Sequence, residues 1–213
     1  MIQLIGMLDS PYVRRVAISL RLLGIPFEHR AVSVFSTFEQ FRQINPVVKA
    51  PSLVCDNNEV LMDSSLILDY AEAIAYPRKS LMPSNLSERQ HTLRIIGLAL
   101  AACEKSIQII YERNLRPNEK QHQPWIDRVR GQVTAAYAAL EKEFKSNPPK
   151  SESPILMQSD ITSAVAWQFT QMMLPEIISE DEHPTLRAFS EKAELLPEFL
   201  AFPPIGPGVP TQN

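Results

Sequence analysis

The chain has 213 residues, of which 45% are hydrophobic and 21% charged, and its formal net charge is -3. This length accommodates one large or two small domains with an ample core, and the composition is ordinary for a soluble globular protein. The slightly acidic balance argues against a nucleic acid or an anionic membrane surface as partner. The first apolar run is short and meets Asp9, and no later run is long enough to cross a bilayer. We therefore expect no signal peptide, no membrane span and a cytoplasmic location.

The cysteines and histidines indicate neither a disulfide nor a metal site. Cys55 and Cys103 lie far apart in sequence and form no CxxC or metal-binding spacing, so buried thiols are expected. The four histidines show no ligand spacing, and no metal is predicted.

The first part of the chain predicts the element order β-α-β-α-β-β-α. Turn residues and changes of hydrophobic period delimit these elements. The strands are expected at residues 2–6, 27–32, 52–55 and 60–62, and the helices at 11–23, at 36–44 and from 63 onward.

The first helix has clear start and stop signals. Ser10 precedes Pro11, a pairing typical of a helix N-terminus, and Gly24 ends the helix. Val13, Val16, Ala17 and Leu20 recur at helical spacing, whereas Arg14, Arg15 and Arg21 fall on the other face. From these residues alone, the favoured role of Ser10 is that of a cap, although a hydroxyl at a helix N-terminus can also hold an anion or a thiolate.

The remainder of the chain predicts helices only. Pro77 and Pro83 lie in a stretch without periodicity, and we place the domain boundary there, between residues 1–77 and residues 86–213. Apolar residues at steps of three and four predict helices at 88–114, 124–144, 159–174 and 184–196, and Pro148-Pro149 follows the second of them.

Three motifs in residues 1–76 occur together on this schedule of elements. Ser10-Pro11-Tyr12 followed by Arg15-Val16 resembles the catalytic-serine motif of bacterial serine-type glutathione transferases and the plant tau class. Asn45-Pro46 with Lys49-Ala50-Pro51 resembles the segment around that family's cis-proline, and Asp63-Ser64 resembles its acidic-residue-plus-serine pair. The chain thus resembles the cytosolic glutathione transferases, with likeness to the tau and zeta-like classes.

The resemblance implies a fold and an activity. The fold is a thioredoxin-like domain (βαβαββα) followed by an all-helical domain, in a homodimer. The activity is that of a glutathione S-transferase, which uses glutathione as co-substrate and attacks a hydrophobic electrophile. A glutathione-dependent isomerase, dehalogenase or peroxidase would use the same site, and a non-catalytic binding or regulatory protein is the alternative from another class. Dithiol–disulfide exchange through Ser10 is excluded, since serine cannot form a mixed disulfide.

The resemblance also assigns roles to the motif residues. Ser10 would donate a hydrogen bond to the glutathione thiolate. The backbone of Ala50, beside Pro51, would pair with the cysteinyl part. Lys49 would reach the glycine carboxylate, with an exposed, solvated lysine as the alternative. Ser64 would hold the γ-glutamyl carboxylate and Asp63 its ammonium, whereas from the residues alone the pair is a helix cap.

The electrophile pocket is expected by analogy along Leu8, Tyr12, Ile107 and Tyr111, and Trp167 is expected in the core. Two positions depart from the family pattern. Val48 stands where bacterial relatives usually carry glycine, which predicts a stiffer or re-aimed loop. Met157 stands where a serine or threonine usually caps the third helix of the second domain, leaving Ser159 or Asp160 to serve.

Overall fold

The computed structural model describes residues 1–147 and 156–211. The chain divides into two compact units, Met1–Leu81 with Leu196–Gly208 and Met82–Leu195 with Val209–Asn213. The first unit thus takes in Leu196–Gly208, which the sequence analysis placed in the second domain. The predicted helix stop at Pro148-Pro149 lies outside the described residues. Among the helices of the described ranges, none has the length and apolar character needed to span a membrane.

The first unit contains a four-stranded mixed sheet. Its strands are β1 (Ile2–Ile5), β2 (Phe27–Arg30), β3 (Ser52–Val54) and β4 (Val60–Met62), in the order β2-β1-β3-β4. β1 pairs parallel with β2 and antiparallel with β3, and β3 pairs antiparallel with β4. The helices are α1 (Pro11–Leu23), α2 (Phe38–Ile44) and α3 (Ser64–Ala75). The predicted thioredoxin-like order βαβαββα is confirmed.

Helix α1 starts and stops as its sequence predicts. Ser10 is the N-cap in extended conformation and Pro11 the first helical residue, while Gly24 adopts a left-handed φ of 73° and ends the helix. Arg14 and Arg15, which are expected on the other face of α1 from its apolar residues, are only 2% and 3% exposed. Periodicity identified the apolar face of α1 but did not show that the opposite face is also covered.

The loop before β3 follows a path that usually requires glycine. Val48 has a φ of 52°, which a β-branched residue rarely adopts, and its N–H donates to the Asn45 carbonyl at 2.9 Å. Its side chain packs against the cluster of Ile5, Val32 and Phe41. The valine is therefore held in the left-handed region by packing and by a backbone hydrogen bond.

The second unit is helical, with α4 (Leu86–Leu115), α5 (Gln123–Ser146), α6 (Gln158–Met173) and α7 (Pro184–Glu194), and the short α8 (Pro197–Leu200) lies in the first unit. The N-cap of α6 is Met157, whose N–H donates to the Asp160 carboxylate at 2.8 Å. Asp160 therefore serves the helix start, as one of the two expected alternatives. Trp167 is 3% exposed and meets the Tyr137 ring edge-on at 5.5 Å, which confirms it as core. Cys55 and Cys103 are both buried, and neither forms a disulfide.

Candidate active site

Ser10 lies at the N-terminus of α1 in a turn fixed by the backbone. Its N–H donates to the Met7 carbonyl at 3.2 Å, and its carbonyl accepts the Arg14 N–H at 3.0 Å. The side chain is half-buried, and in the described part of the chain its hydroxyl makes no capping hydrogen bond. The capping bond that the residues alone favoured is thus not formed. A hydroxyl in this position can donate a hydrogen bond to a ligand. Because it lies at the helix N-terminus, where the backbone dipoles favour negative charge, an anionic ligand is favoured.

The segment before β3 brings Lys49 and Pro51 into the same unit as Ser10. The Ala50–Pro51 peptide bond is cis, and Ala50 is half-buried against the core cluster. The Lys49 ammonium lies 3.2 Å from the Asp63 carboxylate, and about half of each side chain is exposed. Lys49 is exposed, as in the alternative prediction, and its ammonium is paired with a carboxylate of the chain itself. It forms a surface ion pair with another predicted site residue.

Asp63 and Ser64 occupy different places at the start of α3, although their motif predicts one role for the pair. Asp63 is the N-cap of α3, and its carboxylate accepts the Ser65 N–H at 2.9 Å. Burial raises the pKa of the Asp63 carboxyl, but the Ser65 N–H and the Lys49 ammonium outweigh it, so that this pKa lies below its usual value. Ser64 is the first residue of α3 and only 4% exposed. The predicted cap is thus formed by Asp63 alone.

Arg15 also lies at the site, although the sequence motifs assign it no role of its own. Its guanidinium Nη1 donates to Ser64 Oγ at 3.0 Å and lies 3.4 Å from Ser65 Oγ. The guanidinium also contributes to the lowered pKa of Asp63, after the nearer groups. In the sequence, Arg15 is only part of the serine motif, and its place on a helix face does not indicate a buried charge at the start of α3.

The predicted electrophile residues are distributed between the two units. Leu8 and Tyr12 are half-buried in the first unit. In the second unit, Ile107 is half-buried and Tyr111 is 40% exposed. Burial raises the pKa of the Tyr111 hydroxyl. Tyr111 also lines an open cavity of about 440 Å³ with Trp125. The pocket formed by all four residues stays a prediction.

The residues that the structure describes contain no candidate metal site. Within these ranges, no three His, Cys, Asp or Glu side chains are grouped so that they could hold a metal ion. The chemistry available at Ser10, Asp63 and Ser64 is hydrogen bonding and charge pairing with an anionic or zwitterionic ligand.

Comparison with known proteins shows what the first unit is similar to. Residues 4–79 match the model of the glutathione S-transferase N-terminal domain. The uncharacterized GST-like protein YibF of Escherichia coli is 26% identical over 165 residues, which cover 78% of this chain and 81% of that protein. Glutathione S-transferase U4 of Arabidopsis thaliana is 28% identical over 119 residues, which span 51% of this chain and only 53% of that protein.

A solved structure is similar over nearly the whole chain. The crystal structure of a glutathione transferase family member from Pseudomonas fluorescens Pf-5, with bound glutathione, superposes with a TM-score of 0.81 at 28% identity. The match covers 97% of this chain and 100% of that one. Residues 4–79 are therefore similar to the glutathione S-transferase N-terminal domain, and the chain has the glutathione transferase fold over almost its whole length.

Proposed function

We propose that this protein is a serine-type glutathione transferase in which the Ser10 hydroxyl donates a hydrogen bond to the sulfur of bound glutathione. One observation carries the proposal. The Ser10 hydroxyl stands at the start of α1 without forming a capping bond, in the same compact unit as Ala50, Pro51 and the buried Ser64.

The energetics of sulfur activation support this role. A thiol has a pKa near 8.5, and lowering it by about two units requires roughly 2.7 kcal/mol of preferential stabilisation of the thiolate. A hydrogen bond to a charged acceptor contributes about 1.5–3 kcal/mol. A helix N-terminus adds about 0.3–1 kcal/mol. The hydroxyl and the start of α1 together therefore suffice to make the thiolate the main species near pH 7.

Glutathione would be held along its length by the residues around α3 and β3. The N–H and C=O of Ala50, beside Pro51, would pair with the cysteinyl part as a short added strand. Ser64 and the first N–H groups of α3 would bind the γ-glutamyl carboxylate, and Asp63 would bind the ammonium. Lys49 would exchange Asp63 for the glycine carboxylate, which is feasible because an exposed ion pair is worth only about 0–1 kcal/mol.

The bound thiolate would attack an electrophilic carbon of a hydrophobic substrate. With an aryl halide, a carbon–sulfur bond forms, the carbon–halogen bond breaks and the halide leaves with the bonding electron pair, while the thiol proton has passed to solvent. Leu8, Tyr12, Ile107 and Tyr111 are the side chains proposed to contact the electrophile. The same thiolate would also serve an isomerase, a dehalogenase or a peroxidase. The family resemblance further supports a cytoplasmic homodimer.

Calorimetry with glutathione and a conjugation assay with chlorodinitrobenzene test the proposal. Ser10→Ala should bind glutathione within about threefold of the wild type and lose roughly 10- to 100-fold in kcat, since it removes about 1.5–3 kcal/mol of thiolate stabilisation. Ser10→Thr keeps the hydroxyl and should retain more activity than Ser10→Ala. An unchanged kcat in Ser10→Ala would remove Ser10 from this role. Binding without turnover of any electrophile would favour the non-catalytic alternative, and absence of binding would refute the glutathione assignment.

A further inference from the structure

The end of the chain packs on the first unit and contacts α1. We refer to residues 199–208 as the C-terminal strap. Phe199 is fully buried, and the Arg14 guanidinium lies over its ring, 5.5 Å from the centroid. The Phe202 carbonyl accepts a hydrogen bond from Arg14 Nε at 2.8 Å, and the Phe202 ring stacks on Phe27 at 5.7 Å. The strap is thus anchored one turn into the helix that begins after Ser10.

Beyond this anchor, the strap reaches the residue that precedes Ser10. The Gly208 N–H donates to the Asp9 carboxylate at 2.8 Å. Gly206 passes so close that a Cβ at this position would collide with the Asp9 carboxyl group. Two backbone features of the strap, the Gly208 N–H donor and the close approach of Gly206, therefore meet the side chain of Asp9.

We propose that Asp9 is a positioning residue and that the C-terminal strap, by holding Asp9, places the Ser10 hydroxyl for the sulfur. This inference rests on the proposed function of Ser10. Consecutive Cα atoms are about 3.8 Å apart, so a displacement of Asp9 is passed directly to Ser10. Ser10 is also held by the tight turn in which its N–H bonds to the Met7 carbonyl, and Asp9 lies within that turn.

The test compares two ways of disturbing Asp9. Gly206→Ala adds a methyl group that displaces the carboxylate, and Asp9→Ala removes the carboxylate itself. Asp9→Asn keeps an oxygen that can accept the Gly208 N–H but loses the charge. Gly131→Ala is the control, because Gly131 lies exposed in α5 and nothing stands within 4 Å of an added Cβ. For each variant, kcat and KM are measured with glutathione and chlorodinitrobenzene, and the pKa of the bound sulfur is measured from thiolate absorbance against pH.

Gly206→Ala and Asp9→Ala should lower kcat by roughly tenfold or more, because small misplacements of a catalytic group are costly. Both should raise the pKa of the bound sulfur, while the KM for glutathione changes by less than about threefold, since Ala50 and Ser64 lie in other elements. Asp9→Asn should recover most of the lost kcat, and Gly131→Ala should match the wild type.

Three results would overturn the inference. The first is that Gly206→Ala and Asp9→Ala lower the unfolding temperature but leave kcat and the pKa of the bound sulfur unchanged. The second is that Asp9→Asn is as impaired as Asp9→Ala, and the third is that these variants raise only the KM for glutathione. If Gly206→Ala does not fold, the two Asp9 variants decide. A wild-type protein that fails to bind glutathione would instead refute the proposed function, which distinguishes the two failures.

Discussion

Replacement of Arg15 by Met should weaken glutathione binding through the γ-glutamyl carboxylate. Arg15→Met removes the guanidinium but keeps an aliphatic chain of similar length in the buried position. In the wild type, the guanidinium donates to Ser64 Oγ at 3.0 Å, and both side chains are almost fully buried. Because Ser64 is the proposed carboxylate ligand, the variant loses both the group that orients its hydroxyl and a positive charge near the bound anion.

The size of the effect follows from the distance. A carboxylate bound to Ser64 Oγ would lie about 2.7 Å beyond it, and hence about 5–6 Å from the Arg15 nitrogen. Two unit charges at that separation interact by about 3 kcal/mol at an effective dielectric constant near 20 and by less than about 1 kcal/mol in bulk water. Since about 1.4 kcal/mol corresponds to tenfold in affinity, we expect the Kd for glutathione to rise by about tenfold, within limits of roughly 3- and 100-fold.

Calorimetry with two ligands separates binding from stability. Glutathione carries the γ-glutamyl carboxylate and cysteinylglycine does not. Arg15→Met should therefore lower the affinity for glutathione and leave the affinity for cysteinylglycine nearly unchanged. Arg14→Met is the matched control. Arg14 is the neighbouring arginine, is equally buried and bonds to Phe202 instead of Ser64. Both variants should lower the unfolding temperature, because each removes the donor of a buried or partly buried hydrogen bond.

The proposed link between Arg15 and the carboxylate would be refuted if Arg15→Met raised the Kd for glutathione and the Kd for cysteinylglycine by the same factor. It would also be refuted if Arg14→Met raised the Kd for glutathione as much as Arg15→Met does. Either result would show that loss of a buried arginine disturbs the unit in general, and that Arg15 has no particular connection to the γ-glutamyl carboxylate.

Two further predictions concern stability. The Glu141 carboxylate accepts hydrogen bonds from the N–H groups of Thr185 and Leu186 at 3.0 and 2.8 Å. Burial raises the pKa of the Glu141 carboxyl, but these bonds and the one from the Thr185 hydroxyl lower it by more, so that the pKa lies below its usual value. The ionised Glu141 therefore stabilises the fold above its unfolded pKa of about 4.3, and this stabilisation is lost as the pH falls through the lower folded pKa. Glu141→Gln should lower the free energy of unfolding by about 1 kcal/mol at pH 7, measured by thermal unfolding. A difference in stability between Glu141→Gln and the wild type that persists in strong acid would contradict this. Val48 and Val34 are half-buried loop residues on the same core cluster, but only Val48 has a left-handed φ, of 52°. Since that conformation costs roughly 1–2 kcal/mol, Val48→Gly should lose about that much less stability than Val34→Gly in urea unfolding, and equal losses would refute the strain.

Local signals in the sequence are enough to predict the helices and strands of the first unit. Ser10-Pro11 and Gly24 bound α1 because capping and the left-handed turn depend on residues next to one another. The start of α3 was predicted at Asp63-Ser64 for the same reason, and the structure begins the helix at Ser64. The roles of the candidate site residues are implied by the family resemblance, whereas from the residues alone the same motifs indicate helix starts and a proline-bearing loop.

The interactions among the site residues were not predictable from local pattern. The hydrogen bond from Arg14 to Phe202 joins positions 188 apart in the chain, and the bond from Arg15 to Ser64 joins positions 49 apart. Helical periodicity separates apolar from polar side chains on one helix but does not identify what covers the polar ones. The pairing of Lys49 with Asp63 is not predictable for a similar reason, since the resemblance gives each residue a partner within the ligand.

The consecutive arginines show how one helix can couple three parts of the first unit. Successive residues of an α-helix point about 100° apart, so Arg14 and Arg15 leave α1 in different directions, toward the C-terminal strap and toward the start of α3. Ser10 stands at the N-terminus of the same helix, with Asp9 held by the strap. The proposed sulfur donor and the proposed carboxylate site are therefore both tied to α1. A movement of this helix would alter activation of the thiol and binding of the tripeptide together, whereas the Asp9 and Arg15 variants are designed to alter them one at a time.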